Sequence, residues 1–97
     1  MSRTLLERKL SATTTRLKEL REELALVDEQ LACLVDMADD TRLRALVSET
    51  PLAGREHQEA QRHADAMARH RVELVARLAR LERSQDELLD RIVARMT

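Results

Sequence analysis

The residues best suited to metal or acid–base chemistry are three histidines in the second half of the chain: His57, His63 and His70. Glu59 precedes His63 by four residues, so the two side chains share one face if this stretch is helical. A metal centre needs further ligands from a facing element, and the Glu-x-x-His spacing of ferritin-like bundles is absent from the sequence. We therefore interpret the histidines as solvated side chains and predict neither a metal site nor a cofactor.

Nucleophilic catalysis is not indicated either. Cys33 is the only cysteine, so no intramolecular disulfide can form, and no histidine lies near it in sequence to activate its thiol. A narrow pair of helices would also offer no concave, dry pocket for a reaction. The sequence predicts no catalytic residue and a protein that is not an enzyme.

One side of the second half is basic, and it could in principle follow a phosphate backbone. Its members are Arg62, His63, Arg69, His70, Arg77 and Arg83. The net charge is only −1, however, and no Phe, Tyr or Trp is present to stack on bases. We interpret this side as a solvated helix face and do not expect nucleic acid as a partner.

Pro51 and Gly54, the only proline and the only glycine, mark the point where two helical arms meet. Proline clashes inside a helix and biases the preceding residue away from it, so the first arm should end near Glu49. Thr50 can then cap a second helix in which Pro51 takes the first position. The arrangement predicts a hinge between two helices.

The first arm carries a seam, by which we mean a ladder of residues at alternating steps of four and three. Its members are Leu6, Leu10, Thr13, Leu17, Leu20, Leu24, Val27, Leu31, Leu34 and Ala38. Such spacing is typical of a coiled coil. Ser2 or Thr4 can cap the helix, and Glu7 would complete a capping box with Thr4. At Asp39–Thr41 the pattern slips, which indicates either a new short helix or a rotated apolar face.

The second arm repeats the spacing. Its seam runs through Ala60, Ala64, Met67, Arg71, Leu74, Leu78, Leu81, Gln85, Leu88 and Ile92. In an antiparallel pair of helices, the numbers of two facing residues have a constant sum. Here every facing pair adds to 98, and half of 98 is 49, the position of Glu49 at the predicted hinge. This register also opposes two uncharged polar residues, Thr13 and Gln85. A buried amide without a partner costs about 1–3 kcal/mol, so we expect this register to be preferred.

Apolar residues outside the two seams indicate contacts beyond the hairpin. On the second arm they include Val72, Val75, Leu89 and Val93, which we predict to form a dimer face. Near the hinge, Leu43, Leu46 and Val47 leave the seam where Leu52 begins the second arm. These four residues either anchor a partner or close the turn, with Leu52 folded over Leu46 and Val47.

The run Glu19–Leu24, Glu-Leu-Arg-Glu-Glu-Leu, followed by a long hairpin, resembles the N-terminal coiled-coil domain of the bacterial Gre transcript-cleavage factors. The chain is also similar in general character to small bacterial helical hairpins. The Gre resemblance implies a hairpin that enters the RNA polymerase secondary channel, with two acidic residues at its tip. Alignment on His57 places Glu49 at one of those positions and Leu52 at the other, so cleavage activity is not implied.

We predict an all-α fold, a long antiparallel two-helix coiled-coil hairpin that can pair into a four-helix bundle dimer. The single domain covers 1–97, with arm one at about 3–48, the hinge at about 48–54 and arm two at about 51–96. The predicted function is non-enzymatic protein–protein interaction, with itself as a homodimer or with a larger assembly. The alternative is a transcription regulator that docks on RNA polymerase through the tip. Because no apolar run can span a bilayer, we expect no membrane partner and a cytoplasmic location.

Overall fold

The computed structural model describes residues 2–96, which form two helices. Helix α1 spans Arg3–Ser48 and helix α2 spans Pro51–Met96, with only Glu49 and Thr50 between them. The helical hairpin predicted from the two seams and the hinge is confirmed.

The turn is closed by backbone hydrogen bonds and one side-chain cap. Glu49 adopts a left-handed conformation with φ of 53°, and its N–H donates to the carbonyl of Ala45 at 3.1 Å, which is the αL motif that ends many helices. Thr50 Oγ1 accepts a hydrogen bond from the N–H of Ala53 at 3.2 Å. Because Pro51 is the first residue of α2, its missing N–H leaves no hydrogen bond unmade. The predicted cap at Thr50 is confirmed.

At the start of α1 the cap is Ser2, whose Oγ accepts a hydrogen bond from the N–H of Leu5 at 3.2 Å. The alternative capping box between Thr4 and Glu7 is wrong, because Thr4 lies inside the helix. Glu7 instead accepts a hydrogen bond from Arg3 Nε at 2.9 Å, one helical turn away. Ser2 satisfies one of the free N–H groups that every helix start leaves unpaired.

The helix does not break at Asp39–Thr41. The seam continues in the same steps through Thr41 and Ala45, which are half-buried, and the apolar face does not rotate toward Leu43. Thr41 can occupy the seam because its hydroxyl lies 2.9 Å from the carbonyl of Met37 and 3.0 Å from that of Ala38. A hydroxyl that bonds to its own helix enters a seam without an unsatisfied polar group.

The chain divides into two compact units. The terminal unit combines the residues up to Leu24 with those from Leu74 onward, and the turn unit covers Ala25–Glu73. In the terminal unit the buried side chains are all leucine or isoleucine: Leu6, Leu17, Leu20, Leu74, Leu78, Leu88 and Ile92. In the turn unit they are much smaller: Val27, Ala38, Ala53 and Ala64. Each unit therefore has its own core, and the two cores differ in side-chain size.

The seam register agrees with the contacts inside each unit. In the terminal unit Leu6, Leu88 and Ile92 form one buried cluster, against which Leu10 packs. In the turn unit Thr41 Oγ1 lies 3.5 Å from His57 Nδ1, a pair whose numbers add to 98. The predicted register therefore describes the packing in both units.

Candidate interaction surfaces

The apolar residues predicted to bind a partner near the turn are all exposed. Leu43 exposes 55% of its surface, Leu46 64%, Val47 86% and Leu52 58%. The alternative that Leu52 folds over Leu46 and Val47 requires these side chains to be largely covered. They are not, so closure of the turn does not account for them.

These four residues do not form one continuous helix face. Leu43, Leu46 and Val47 are three and four residues apart on α1, on the side opposite the seam positions Thr41 and Ala45. Leu52 belongs to the first turn of α2 and is one residue before its seam position Ala53. We call Leu43, Leu46 and Val47 the α1 patch.

The residues predicted as a dimer face on α2 are exposed as well. Val72 is exposed and lies in the turn unit, whereas Val75, Leu89 and Val93 lie in the terminal unit. They occupy helix positions next to the seam, where 40–69% of their surface stays exposed. Their spacing in the sequence repeats that of the seam, because each of them directly follows a seam residue.

Polar seam residues find partners slightly displaced from those predicted. Gln85 Nε2 donates to Thr14 Oγ1 at 3.1 Å, so the prediction that its partner is Thr13 is wrong by one residue. A long amide reaches diagonally across an antiparallel pair, past the directly opposite side chain. The hydroxyl that it meets is at the edge of the seam, where Thr14 is exposed to water.

Arg71 behaves in the same way within the turn unit. The sum of 98 places it opposite Val27, and its Nε donates a hydrogen bond to Oδ1 of Asp28, the residue after Val27. This hydrogen bond and the charge of Asp28 raise the pKa of Arg71 above its ordinary value. An arginine in the seam is therefore tolerated because a carboxylate at the rim receives its guanidinium group.

The histidines do not assemble a reactive site. His63 Nε2 lies 3.9 Å from Glu59 Oε1, on the exposed side of α2. A shallow surface groove in the turn unit is lined by Leu34, Glu59, His63 and Met67. Across residues 2–96 the structure groups no three His, Cys, Asp or Glu side chains at metal-binding distances. Cys33 is exposed and forms no disulfide.

No protein-family model matches the chain, and neither a curated protein nor a solved structure shows significant similarity to it. Within residues 2–96, neither helix includes a segment of the length and apolar character needed to cross a membrane.

Proposed function

We propose that this chain is a non-enzymatic interaction module that binds a partner protein through the α1 patch of the turn unit. One observation carries the proposal. Between positions 38 and 64 the seam of this unit holds only alanine, threonine and histidine, while Leu43, Leu46 and Val47 lie outside it. Larger apolar side chains would stabilise the hairpin more at buried seam positions than on the exposed side of α1. Their exposed position is therefore better suited to binding a partner.

The energetics support a binding role for the α1 patch. Full burial of one Val or Leu side chain contributes about 1.5–3 kcal/mol, so three of them on one face can anchor a partner. Apolar residues at spacings of three and four on one helix face are the pattern that inserts into an apolar groove. The partner is therefore expected to present such a groove.

The charges around the patch favour a protein partner over a nucleic acid. Arg44, next to Leu43, pairs with Asp40 at 2.6 Å, so its charge is balanced locally. The chain as a whole carries a net charge of −1. A surface without net positive charge or aromatic rings has little affinity for a phosphate backbone or for bases.

The test is co-purification from a native lysate with the protein as bait. The double variant Leu43→Ser/Val47→Ser should lose the partner, because it removes most of the apolar area of the patch. Its free energy of unfolding should change by about 0.5 kcal/mol or less, since both side chains are exposed. Leu26→Ser is the matched control, because Leu26 is also exposed on α1 in the turn unit and lies far along the helix from the patch.

Retention of the partner by the double variant, together with a large fall in melting temperature, would contradict the proposal. That result would mean that the patch stabilises the hairpin. Loss of the partner in the Leu26→Ser control as well would show that the contact is not specific to the α1 patch.

Docking on RNA polymerase through the turn is the second candidate, and the position of Glu49 favours it. Glu49 is exposed between the two helices, and its left-handed conformation holds it at the end of the hairpin. An acidic residue in that place is what the resemblance to Gre factors implies. A polymerase pull-down with Glu49→Gln separates the two candidates. If Glu49→Gln no longer captures the polymerase, binding depends on the charge of Glu49. If Glu49→Gln captures it as well as the wild type and the α1 patch variant does not, docking is through the apolar patch.

A further inference from the structure

Helix α2 carries a second ladder of residues beside the seam, and the part from Val75 to Val93 lies entirely within the terminal unit. Its members also follow steps of four and three: Val75, Ala79, Glu82, Asp86, Leu89 and Val93. The larger apolar members are uncovered, with Val75 exposing 40% of its surface, Leu89 43% and Val93 58%. The second ladder is therefore a helix face that the hairpin leaves open.

The second ladder is symmetric about Ser84. Val75 and Val93 lie nine residues on either side of Ser84, and Ala79 and Leu89 lie five residues on either side. In a two-fold dimer one surface packs against its own copy, so the pattern must match its own reverse. Two antiparallel α2 helices that cross between Glu82 and Asp86, at the level of Ser84 along the helix, meet this requirement and place Val75 against Val93 of the partner subunit.

The centre of the second ladder contains two acids, which a self-contact must neutralise. Glu82 already has a partner in its own chain, since its Oε1 lies 3.5 Å from Arg21 Nη2. Asp86, Asp90 and Arg83 take part in no ion pair among residues 2–96. Each copy thus offers one arginine and two aspartates that the hairpin does not use.

The polar contacts between α1 and α2 show how far from the directly opposite residue a side chain of this chain finds its partner. The measure is the sum of the two residue numbers, compared with the sum of a directly opposite pair. Directly opposite seam residues add to 98, the flanking ion pair of Arg21 with Glu82 adds to 103, and the diagonal contact of Gln85 with Thr14 adds to 99. Opposite residues in a dimer centred on Ser84 add to 168. The contacts within the hairpin exceed the sum of a directly opposite pair by five and by one. The same differences in the dimer place Arg83 beside Asp90 of the partner subunit and beside Asp86 of the partner subunit.

We propose that the terminal unit forms an antiparallel homodimer through the second ladder of α2, with apolar contacts at both ends and two symmetric clusters of Arg83 with Asp86 and Asp90 at the centre. The apolar ends of the ladder are complementary to a second copy in this orientation. Its centre opposes Glu82 to Asp86 of the partner subunit, and Arg83 is the cation that offsets these acids. The inference goes beyond the proposed function, because it uses the terminal unit and is independent of the α1 patch.

Sedimentation equilibrium at micromolar concentrations tests the dimer through charge reversal. Arg83→Glu alone and Asp86→Arg/Asp90→Arg alone should each weaken self-association about tenfold or more, because each places like charges together. An equimolar mixture of the two variants should recover association, since each copy then meets opposite charge on the other. Val75→Glu should also dissociate the dimer. Leu43→Ser/Val47→Ser should leave it intact, which separates this inference from the proposed function.

Cross-linking tests the orientation in a Cys33→Ala background. Chains with Val75→Cys mixed with chains with Val93→Cys should form a disulfide-linked dimer, whereas either variant alone should not. Circular dichroism controls for folding, because all of these positions are on the surface. A monomeric wild type, no recovery in the charge-reversed mixture, or cross-linking of Val75→Cys with itself would each overturn the proposal.

Discussion

The terminal unit and the turn unit share one spacing of seam residues but use it with different side chains. The terminal unit places leucine and isoleucine inside, and Leu6, Leu17, Leu20 and Leu74 expose 1% of their surface or less. The turn unit buries mainly alanine. Among its exposed residues are Leu26, Met37, Leu43, Leu46 and Leu52. The same heptad pattern thus gives a large-residue core in one region and a small-residue core in the other.

The difference indicates that hydrophobic stabilisation is distributed unevenly along the hairpin. A buried leucine contributes about 1.5–3 kcal/mol and an alanine methyl about 0.8 kcal/mol, so the terminal unit supplies most of the hydrophobic stabilisation. The turn unit gives up part of that stabilisation and keeps its larger apolar side chains on the surface. A region of low local stability with exposed apolar residues suits a partner that completes its packing.

Truncation of one leucine in each unit should give the largest difference. Leu17→Ala is expected to lower the free energy of unfolding by ~2–5 kcal/mol, because Leu17 is fully buried and the cavity cannot collapse completely. Leu34→Ala, at a half-buried seam position of the turn unit, should cost less. Urea denaturation followed by circular dichroism measures both. Equal losses would mean that the two cores are energetically equivalent, contrary to the comparison.

Amide hydrogen exchange should resolve the two units without any substitution. We expect seam residues of the turn unit, such as Ala38 and Ala64, to exchange about tenfold faster or more than Leu20 and Leu78. The physical reason is the smaller apolar area that must be exposed when the turn unit opens. Uniform protection along both helices would show that the hairpin opens as one cooperative unit, and the expected difference in local stability between the two units would then fail.

The sequence was sufficient to predict the seam, the register and the turn. Steps of four and three specify which side of a helix is buried, and a proline next to a capping threonine specifies where one helix ends and another begins. By hydrophobicity alone, the pattern slips at Asp39–Thr41, because Leu43, Leu46 and Val47 are more hydrophobic than the seam residues Thr41 and Ala45. Hydrophobicity and spacing disagreed there, and spacing determined the packing.

The polar details and the surfaces were less predictable. The partner of Gln85 is Thr14, because reach and angle of the side chain decide which of two adjacent threonines it meets. The capping residue of α1 is Ser2, since Thr4 has helical neighbours on both sides. Exposure of the α1 patch depends on what the rest of the hairpin covers, which requires the assembled structure.

Glu49→Gly should stabilise the turn unit without touching either core. A side chain at φ of 53° is held in a conformation that costs a non-glycine residue roughly 1–2 kcal/mol, and glycine avoids this cost. Because glycine also gains freedom in the unfolded chain, the net gain should be about 1 kcal/mol or less. Thermal unfolding measures it. Ser48→Gly, inside the last turn of α1, is the control and should be destabilising; stabilisation by both would point to a strained turn as a whole.

Gly54→Ala is expected to have the smallest effect and acts on the turn unit alone. Gly54 lies in the first turn of α2, its φ is not positive, and a Cβ built there meets no other atom within 4 Å. Alanine therefore loses nothing in the folded state and reduces the freedom of the unfolded chain. The free energy of unfolding should rise by about 0.5 kcal/mol and Tm by roughly 2–4 °C.

The gain in stability should slow hydrogen exchange near Ala53 and His57 more than at Leu78. Because the turn unit has few large buried side chains, a change of this size is a larger share of its stability than of the terminal unit's. A fall in Tm would show that Gly54 is needed for the geometry of the turn, so that the weakness of this unit lies in its backbone as well as in its small core.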